Sequence, residues 1–292
     1  MNSKKFAFVI LNYKTYGDTI LLIKDLKEQV WYERIKIFVV ENGSCDESEN
    51  ELNKFKEIMS FDLIVSDINL GFANGNNLGI KKAKEEGFEY IICSNSDIKI
   101  DKQDSILNVI ENIYSTDTNI AILAPHIINQ NYISQNPFRK YRFTKKEILK
   151  MKLFYLMNFY KIYYFLRIYT LYNIITFLAE RRNFNRIKKN TQMKQSSAYI
   201  YAPHGSFIIF TPTFFNYFKG FDTNTFLYCE EFILAEAIFQ KQLKVYYENS
   251  IEVLHNESSS TNEILNNYKD KVKFTLKNTF ESCKYFSKTV RL

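Results

Sequence analysis

Short apolar runs alternate with longer amphipathic stretches through the first third of the chain. Residues 6–11, 35–40, 62–66, 90–93 and 120–124 are apolar runs closed by polar or glycine-containing turns, which predicts strands. The stretches 16–28, 47–59, 80–86 and 106–114 between them read as helices. Strands separated by helices of this length predict a parallel sheet with helices on both faces. From residue 145 to 187 the character changes: the stretch is aromatic and basic, lacks Gly and Pro, and reads as helix. Beyond residue 195, strands return at 198–203 and 206–210, followed by a turn and short strand at 221–227. A helix at 230–241, strands at 244–247 and 251–254, and a terminal helix at 262–284 follow. No internal repeat is evident.

The sharpest local signal lies between Asn69 and Asp97. It spells Asn-Leu-Gly-Phe-Ala-Asn-Gly-Asn-Asn-Leu-Gly, then a helix, then an apolar strand closing on Asn95-Ser96-Asp97. Gly71, Gly75 and Gly79 predict a tight turn with close backbone approach. A helix from residue 80 places its N-terminal amides beside that turn, where anions bind. Ligands of open α/β sheets sit beyond the carboxyl ends of the strands. Asp97 is therefore expected to meet a ligand and to offer its carboxylate to a divalent metal.

The 292 residues fit one large domain or two small ones. Cys45, Cys93, Cys229 and Cys283 lie far apart with no Cys-x-x-Cys spacing. That argues against a zinc ribbon or a disulfide scaffold and fits a reducing compartment. The N-terminus, Met-Asn-Ser-Lys-Lys, passes directly into the first apolar run, which is too short for a signal-peptide core. Charge is uneven. Residues 138–194 hold 15 Lys plus Arg against 2 Glu, so the remainder is net −6 although the whole chain is +7. Nucleic acid or an anionic membrane surface is the usual partner of such a stretch. Residues 168–179 lack charge but are too few to cross a bilayer. Basic residues alternating with long apolar stretches favour a membrane interface over nucleic acid. A helical subdomain or an oligomer interface is the plainer reading.

Seven motifs stand in order along the chain: Val9-Ile10-Leu11-Asn12-Tyr13, Val39-Val40-Glu41-Asn42-Gly43-Ser44, the Asn69–Asn77 run, Asn95-Ser96-Asp97, His204-Gly205-Ser206, Phe221-Asp222 with Phe226-Leu227-Tyr228-Cys229-Glu230-Glu231, and Val253-Leu254-His255. Together they resemble family 2 glycosyltransferases of the GT-A fold, in the bacterial rhamnosyltransferase-like branch. The resemblance implies an α/β fold with a GT-A (Rossmann-like) mixed sheet, helices on both faces and a basic helical insertion. It implies one domain over residues 1–292. Within it lie a nucleotide-sugar-binding half (1–125), a basic aromatic insertion (138–194), an acceptor and catalytic half (195–262) and a C-terminal helix (263–292).

The resemblance also implies roles. Asp97 corresponds to the last position of the family's metal-binding Asp-x-Asp, with Asn95 in place of the first acid. Glu41 stands where the family usually has an Asp reading the base, and its carboxylate would accept the imide N–H of uracil or thymine beside Asn12. Asn69, Gly71, Asn76 and Asn77 resemble the donor-contacting loop, with Asn95 as a further donor contact. Glu231 occupies the position of the general base that takes the acceptor hydroxyl proton. Glu230 would orient groups or bind acceptor hydroxyls, and adjacent carboxylates tend to raise one pKa. His255 would complete the site of Mg2+ or Mn2+. His204 and Gly205 would contact the acceptor or the diphosphate. Without the resemblance each has a plainer role. Asn12, Glu41 and the Asn/Gly run are turn residues, Asp97 a helix N-cap, the acidic pair a macrodipole partner, and the histidines buried structural groups. Ile233 and Ala237 replace the Asp and Arg of the commoner pattern.

The expected function is a metal-dependent, inverting transfer of a sugar from a UDP- or dTDP-linked donor of rhamnose, galactose/galactofuranose or N-acetylhexosamine type. The expected acceptor is a glycan, lipid-linked, in capsule, O-antigen or cell-wall polysaccharide assembly. The expected location is cytoplasmic, peripheral on the inner face of a bacterial plasma membrane, with no nucleic-acid partner and with a homo-oligomer compatible. Three other readings are weighed. A sugar-phosphate nucleotidyltransferase needs a Gly-rich basic first loop, which Asn12-Tyr13-Lys14-Thr15-Tyr16-Gly17 does not resemble. A nucleic-acid-binding protein would show steep salt dependence. A non-catalytic homologue fits poorly with an intact acidic pair.

Overall fold

In a computed structural model that describes residues 5–156, 195–257 and 268–291, the predicted strands of the first third pair in register. β1 (Phe6–Asn12), β2 (Ile35–Asn42), β3 (Phe61–Ser66) and β4 (Tyr90–Asn95) run parallel in the order β3-β2-β1-β4. The crossovers are α1 (Tyr16–Lys27), α2 (Ser48–Met59) and α3 (Gly71–Glu85). Next come β5 (Ile98–Lys99), α4 (Ile106–Thr116), β6 (Ile120–Asn129) and α5 (Lys145–Leu156). The second half adds β7 (Ala198–Ile200), β8 (Phe207–Phe210), α6 (Pro212–Phe215), α7 (Glu230–Gln240), β9 (Lys244–His255) and α8 (Tyr268–Thr289).

The sheet is mixed. β8 lies antiparallel between β4 and β6, and β6 and β9 pair parallel. All five strands predicted in the first third run in one direction, but the sheet is not all-parallel because β8 is inserted antiparallel between β4 and β6; an apolar run reports burial and not direction. Alternation along each strand builds two cores. Phe6, Phe8 and Ile10 face Leu22, Leu52 and Leu107 on one side of the sheet, while Ala7 and Val9 face Ile80, Phe210 and Leu234 on the other. Taken together, these pairings end β1, β2, β3, β4, β6 and β9 on one edge of the sheet, and β8 begins there.

α3 departs most from expectation. It begins at Gly71, not residue 80, so the glycine run is itself helical. A methyl group on Gly75 would stand 2.7 Å from Leu11 Cδ1, and one on Gly79 would overlap Val9 Cγ1. These glycines lower the helix onto β1 and β2; only Gly71, at φ +80°, serves a turn. Residues 221–227 form no strand. Their backbone is held by a side chain, since both amide atoms of Asn77 bond the main chain of Phe221. The two short strands expected at 244–247 and 251–254 are one strand, β9, whose pairing with β6 shifts register between Pro125 and His126.

Of the expected 145–187 helix, α5 is described. It starts with a capping box: Glu147 N–H donates to Thr144 Oγ1 at 3.3 Å, and Thr144 N–H donates to Glu147 Oε2 at 2.7 Å. Residues 157–194 and 258–267 lie outside the described residues. Among the described residues no helix is long and apolar enough to cross a membrane. Spacing argued against a disulfide scaffold, and one pair, Cys229 and Cys283, is joined, with Cα atoms 6.0 Å apart. α8 packs against α7 and closes a 54-residue separation that spacing does not reveal. Cys45 and Cys93 are free thiols.

Candidate active site

The carboxyl edge of the sheet collects most of the expected residues. The turn Ser96-Asp97 leaves β4 and enters β5, which pairs antiparallel with the end of β9, Ile98 opposite His255. Asp97 and His255 are both buried, and His255 Nε2 lies 3.3 Å from Asp97 Oδ1. The Asn256 N–H donates to the Asp97 carbonyl at 2.9 Å. Asp97 is not a helix cap; Ser105 occupies that place for α4. Asn95 ends β4 half-buried, its N–H donating to the Ser206 carbonyl at 2.9 Å. Among the described residues no three His, Cys, Asp or Glu side chains converge as a metal cage. Asp97 and His255 still offer one oxygen and one imidazole nitrogen. That pair suits Mg2+ or Mn2+ when substrate oxygens and water fill the other positions.

Glu231 comes to the same edge beside Gly205, the neighbour of His204. Tyr228 at φ +73° and Cys229 at φ +64° turn the chain sharply, and α7 begins at Glu230. The Glu231 carboxylate is seated against Gly205, whose backbone amide favours its ionised form. A methyl group on Gly205 would stand 2.6 Å from Glu231 Oε1, so this approach requires glycine. Burial raises the Glu231 pKa. Glu230 is 5 % exposed, and its Oε1 is buried without a hydrogen-bond partner. Burial, aided by the Glu231 charge, pushes Glu230 up to about 8. Burial is the largest cause for both residues, and with its pKa near 8 Glu230 keeps its proton at neutral pH.

His204 links the two groups. Its Nδ1 accepts the Ser206 N–H at 3.2 Å, and its backbone N–H donates to Asn136 Oδ1 at 2.7 Å. Its ring centroid lies 5.6 Å from that of His255. Burial, with His255 nearby, lowers its pKa to about 4, so the ring is neutral and carries its proton on Nε2.

Asn12 and Glu41 are register partners on β1 and β2, and Asn12 Nδ2 donates to Glu41 Oε2. The Thr19 hydroxyl donates to Asn12 Oδ1 at 2.8 Å, and the Ser44 N–H to Glu41 Oε1 at 2.7 Å. Both residues are buried, and Glu41 anchors the turn at Ser44 while keeping carboxylate lone pairs beyond these two bonds. The anion site expected at the α3 N-terminus is already filled by protein groups. Leu70 N–H donates to Asn42 Oδ1, Gly71 N–H to Asn69 Oδ1 and Phe72 N–H to the Phe226 carbonyl. Asn77 clasps the Phe221 backbone with both its amide atoms. Asn76 Nδ2 donates to the Phe72 carbonyl, while Asn76 Oδ1 and Thr225 Oγ1 are buried without partners. Sequence reasoning missed Asn42 and Asn136 as organisers of the loops. Asn42 had a signal, its place beside Glu41 in a quoted motif; Asn136 had none.

Residues 8–187 match the family described as Glycosyl transferase family 2. The low-salt glycan biosynthesis hexosyltransferase Agl10 of Haloferax volcanii is 31% identical over 133 residues, 44% of this chain and 39% of that protein. The poly-beta-1,6-N-acetyl-D-glucosamine synthase of Staphylococcus aureus is 33% identical over 99 residues, 34% of this chain and 22% of that one. The matches thus span well under half the length of these relatives. Among solved structures, GalNAc-T7 with UDP, GalNAc and Mn2+ superposes at TM-score 0.59 and 12% identity, over 89% of this chain and 46% of that chain. S. aureus TarS superposes at TM-score 0.53 and 12% identity, over 94% of this chain and 43% of that one.

Proposed function

The chain belongs to glycosyl transferase family 2 and has the GT-A fold, and from that premise we propose that it is an inverting glycosyltransferase. It moves a sugar from a UDP- or dTDP-linked donor to a glycan acceptor. The observation that carries this reading is the chain of contacts at one sheet edge from the Asp97–His255 pair through the His204 ring to Gly205 and the Glu231 carboxylate seated against it. GalNAc-T7, which shares the fold and was solved with UDP, GalNAc and Mn2+, supports a nucleoside-diphosphate donor and a divalent cation.

In this reading Asp97 and His255 hold Mg2+ or Mn2+, which when bound supplies charge neutralisation to a diphosphate leaving group. Glu231 takes the proton of the acceptor hydroxyl as it attacks the anomeric carbon from the face opposite the leaving group. Glu230, protonated, donates a hydrogen bond to acceptor oxygens. His204 presents its Nε2–H to the acceptor or the diphosphate, and Gly205 keeps the base in place. The base of the donor stacks toward β2, where Glu41 keeps lone pairs beyond those bonded to Asn12 and Ser44. Asn69 and Gly71 shape that loop, and the unpaired Asn76 Oδ1 accepts from the donor.

The finer reading is a rhamnosyltransferase-like enzyme of surface polysaccharide assembly with a lipid-linked acceptor, working against the inner face of a bacterial membrane. Helical spacing aligns Lys146, Leu149, Lys150 and Leu153 on α5, and the two leucines are exposed. A basic and apolar face of this kind suits an anionic lipid surface. The test is a panel of nucleotide sugars incubated with the protein and Mn2+ or Mg2+, read by released UDP or dTDP and by thermal shift. Release from one donor is expected. No release, together with no shift by UDP or dTDP, refutes the reading.

A further inference from the structure

We propose that Gln135 and Glu257 are positioning residues that fix the His255 tautomer and aim its Nε2 lone pair at the cation; the proposal rests on the metal-binding reading of Asp97 and His255. Neither residue belongs to the motifs that carry the family resemblance. The chain turns back after β6, where the Gln135 N–H donates to the Ile127 carbonyl at 2.8 Å. This sets the Gln135 side chain beside the end of β9. Gln135 Nε2 donates to Glu257 Oε1 at 2.6 Å, and Glu257 Oε2 lies 3.4 Å from Asn129 Nδ2. A carboxylate only accepts, so the Gln135 amide is oriented with its oxygen on the other side. That oxygen lies 2.9 Å from His255 Nδ1. Nδ1 must therefore donate.

In the neutral ring, the proton on Nδ1 leaves a lone pair on Nε2, and Nε2 faces Asp97 Oδ1 at 3.3 Å. Two lone pairs directed at each other at that distance repel unless a cation or a proton stands between them. The His204 ring, with its centroid 5.6 Å away, has the opposite tautomer because the Ser206 N–H donates to its Nδ1. One imidazole is thus built to donate from Nε2 and its neighbour to ligate through Nε2. Partners of this outer kind set ring orientation and ligand basicity, and their loss typically weakens metal binding about 10–100-fold.

The test measures Mn2+ affinity by electron paramagnetic resonance of free Mn2+, with UDP present, for the wild type, Gln135→Leu, and the exchange Gln135→Glu with Glu257→Gln. In the exchange the amide of one residue donates to the carboxylate of the other, and the carboxylate still accepts from His255. Gln135→Leu should bind Mn2+ about 10–100-fold more weakly, the exchange should restore most of the loss, and the melting temperature should stay within a few degrees. Independently of any variant, 15N–1H correlation of the histidine rings in the wild type should show a proton on Nδ1 of His255 and on Nε2 of His204. Equal Mn2+ affinity in Gln135→Leu and the wild type overturns the proposal and leaves the metal reading standing, as does an Nε2–H tautomer of His255. Donor turnover by a wild type that binds no Mn2+ or Mg2+ overturns both.

Discussion

Replacing Glu230 by Gln tests the acidic pair directly. The substitution swaps a buried protonated carboxyl for a neutral group of the same shape. Glu230 sits at about 8 in the fold against 4.5 for an unperturbed glutamate, with burial as the main cause. The fold therefore binds this proton more tightly than the unfolded chain does. The associated stability is complete below pH 4.5 and is lost as pH rises through about 8. Each pKa unit is worth about 1.4 kcal/mol, so the wild type should lose about 3 kcal/mol relative to Glu230→Gln between about pH 4.5 and 7, and about 5 kcal/mol by about pH 9. The side chain is almost wholly buried, so solvent screening removes little of this. Urea unfolding of both proteins across that range reads the difference directly. The two should be nearly equal in acid and diverge with rising pH, the variant becoming the more stable. Turnover of the variant should keep an acid limb, because the proposed base, Glu231, is still present and must ionise to act. Parallel stability curves would show that Glu230 is ionised in the fold, and a complete loss of turnover would move the base to Glu230.

Gly205→Ala places a methyl group 2.6 Å from Glu231 Oε1 and should lower kcat about 100-fold, with donor affinity retained in a binding titration. Arg142→Leu strips the bidentate partner from the buried Glu236 carboxylate. It should cost about 3–5 kcal/mol in chemical unfolding, most of which Arg142→Leu with Glu236→Leu recovers. Gly79→Ala gains about 1 kcal/mol of helix propensity but drives a methyl group into Val9, so a net loss of about 1–2 kcal/mol is expected in the same assay.

The first four strands were legible because their apolar runs are short and bounded, and β1 and β4 are buried on both faces. The same logic misread α3, since glycines that bring a helix close to a sheet look in sequence like glycines that turn a chain. The clasp made by Asn77 was hidden because its partner, the Phe221 backbone, lies 144 residues away. The Cys229–Cys283 pair and the Gln135–Glu257 contact were hidden for the same reason: both depend on which elements pack together. Asp97, His255, Glu230 and Glu231 were legible through motif order. What motif order did not carry is that Gly205 holds Glu231, that Glu41 and Asn12 are bonded to each other, and that protein groups cap the α3 amides.

Glu231→Gln is the most direct measurement on the central assignment. With the donor found in the panel and its acceptor, turnover should fall by about 100–10,000-fold while donor affinity, read by titration, stays within about twofold. Undiminished turnover would place the proton acceptor elsewhere and contradict the account of this site.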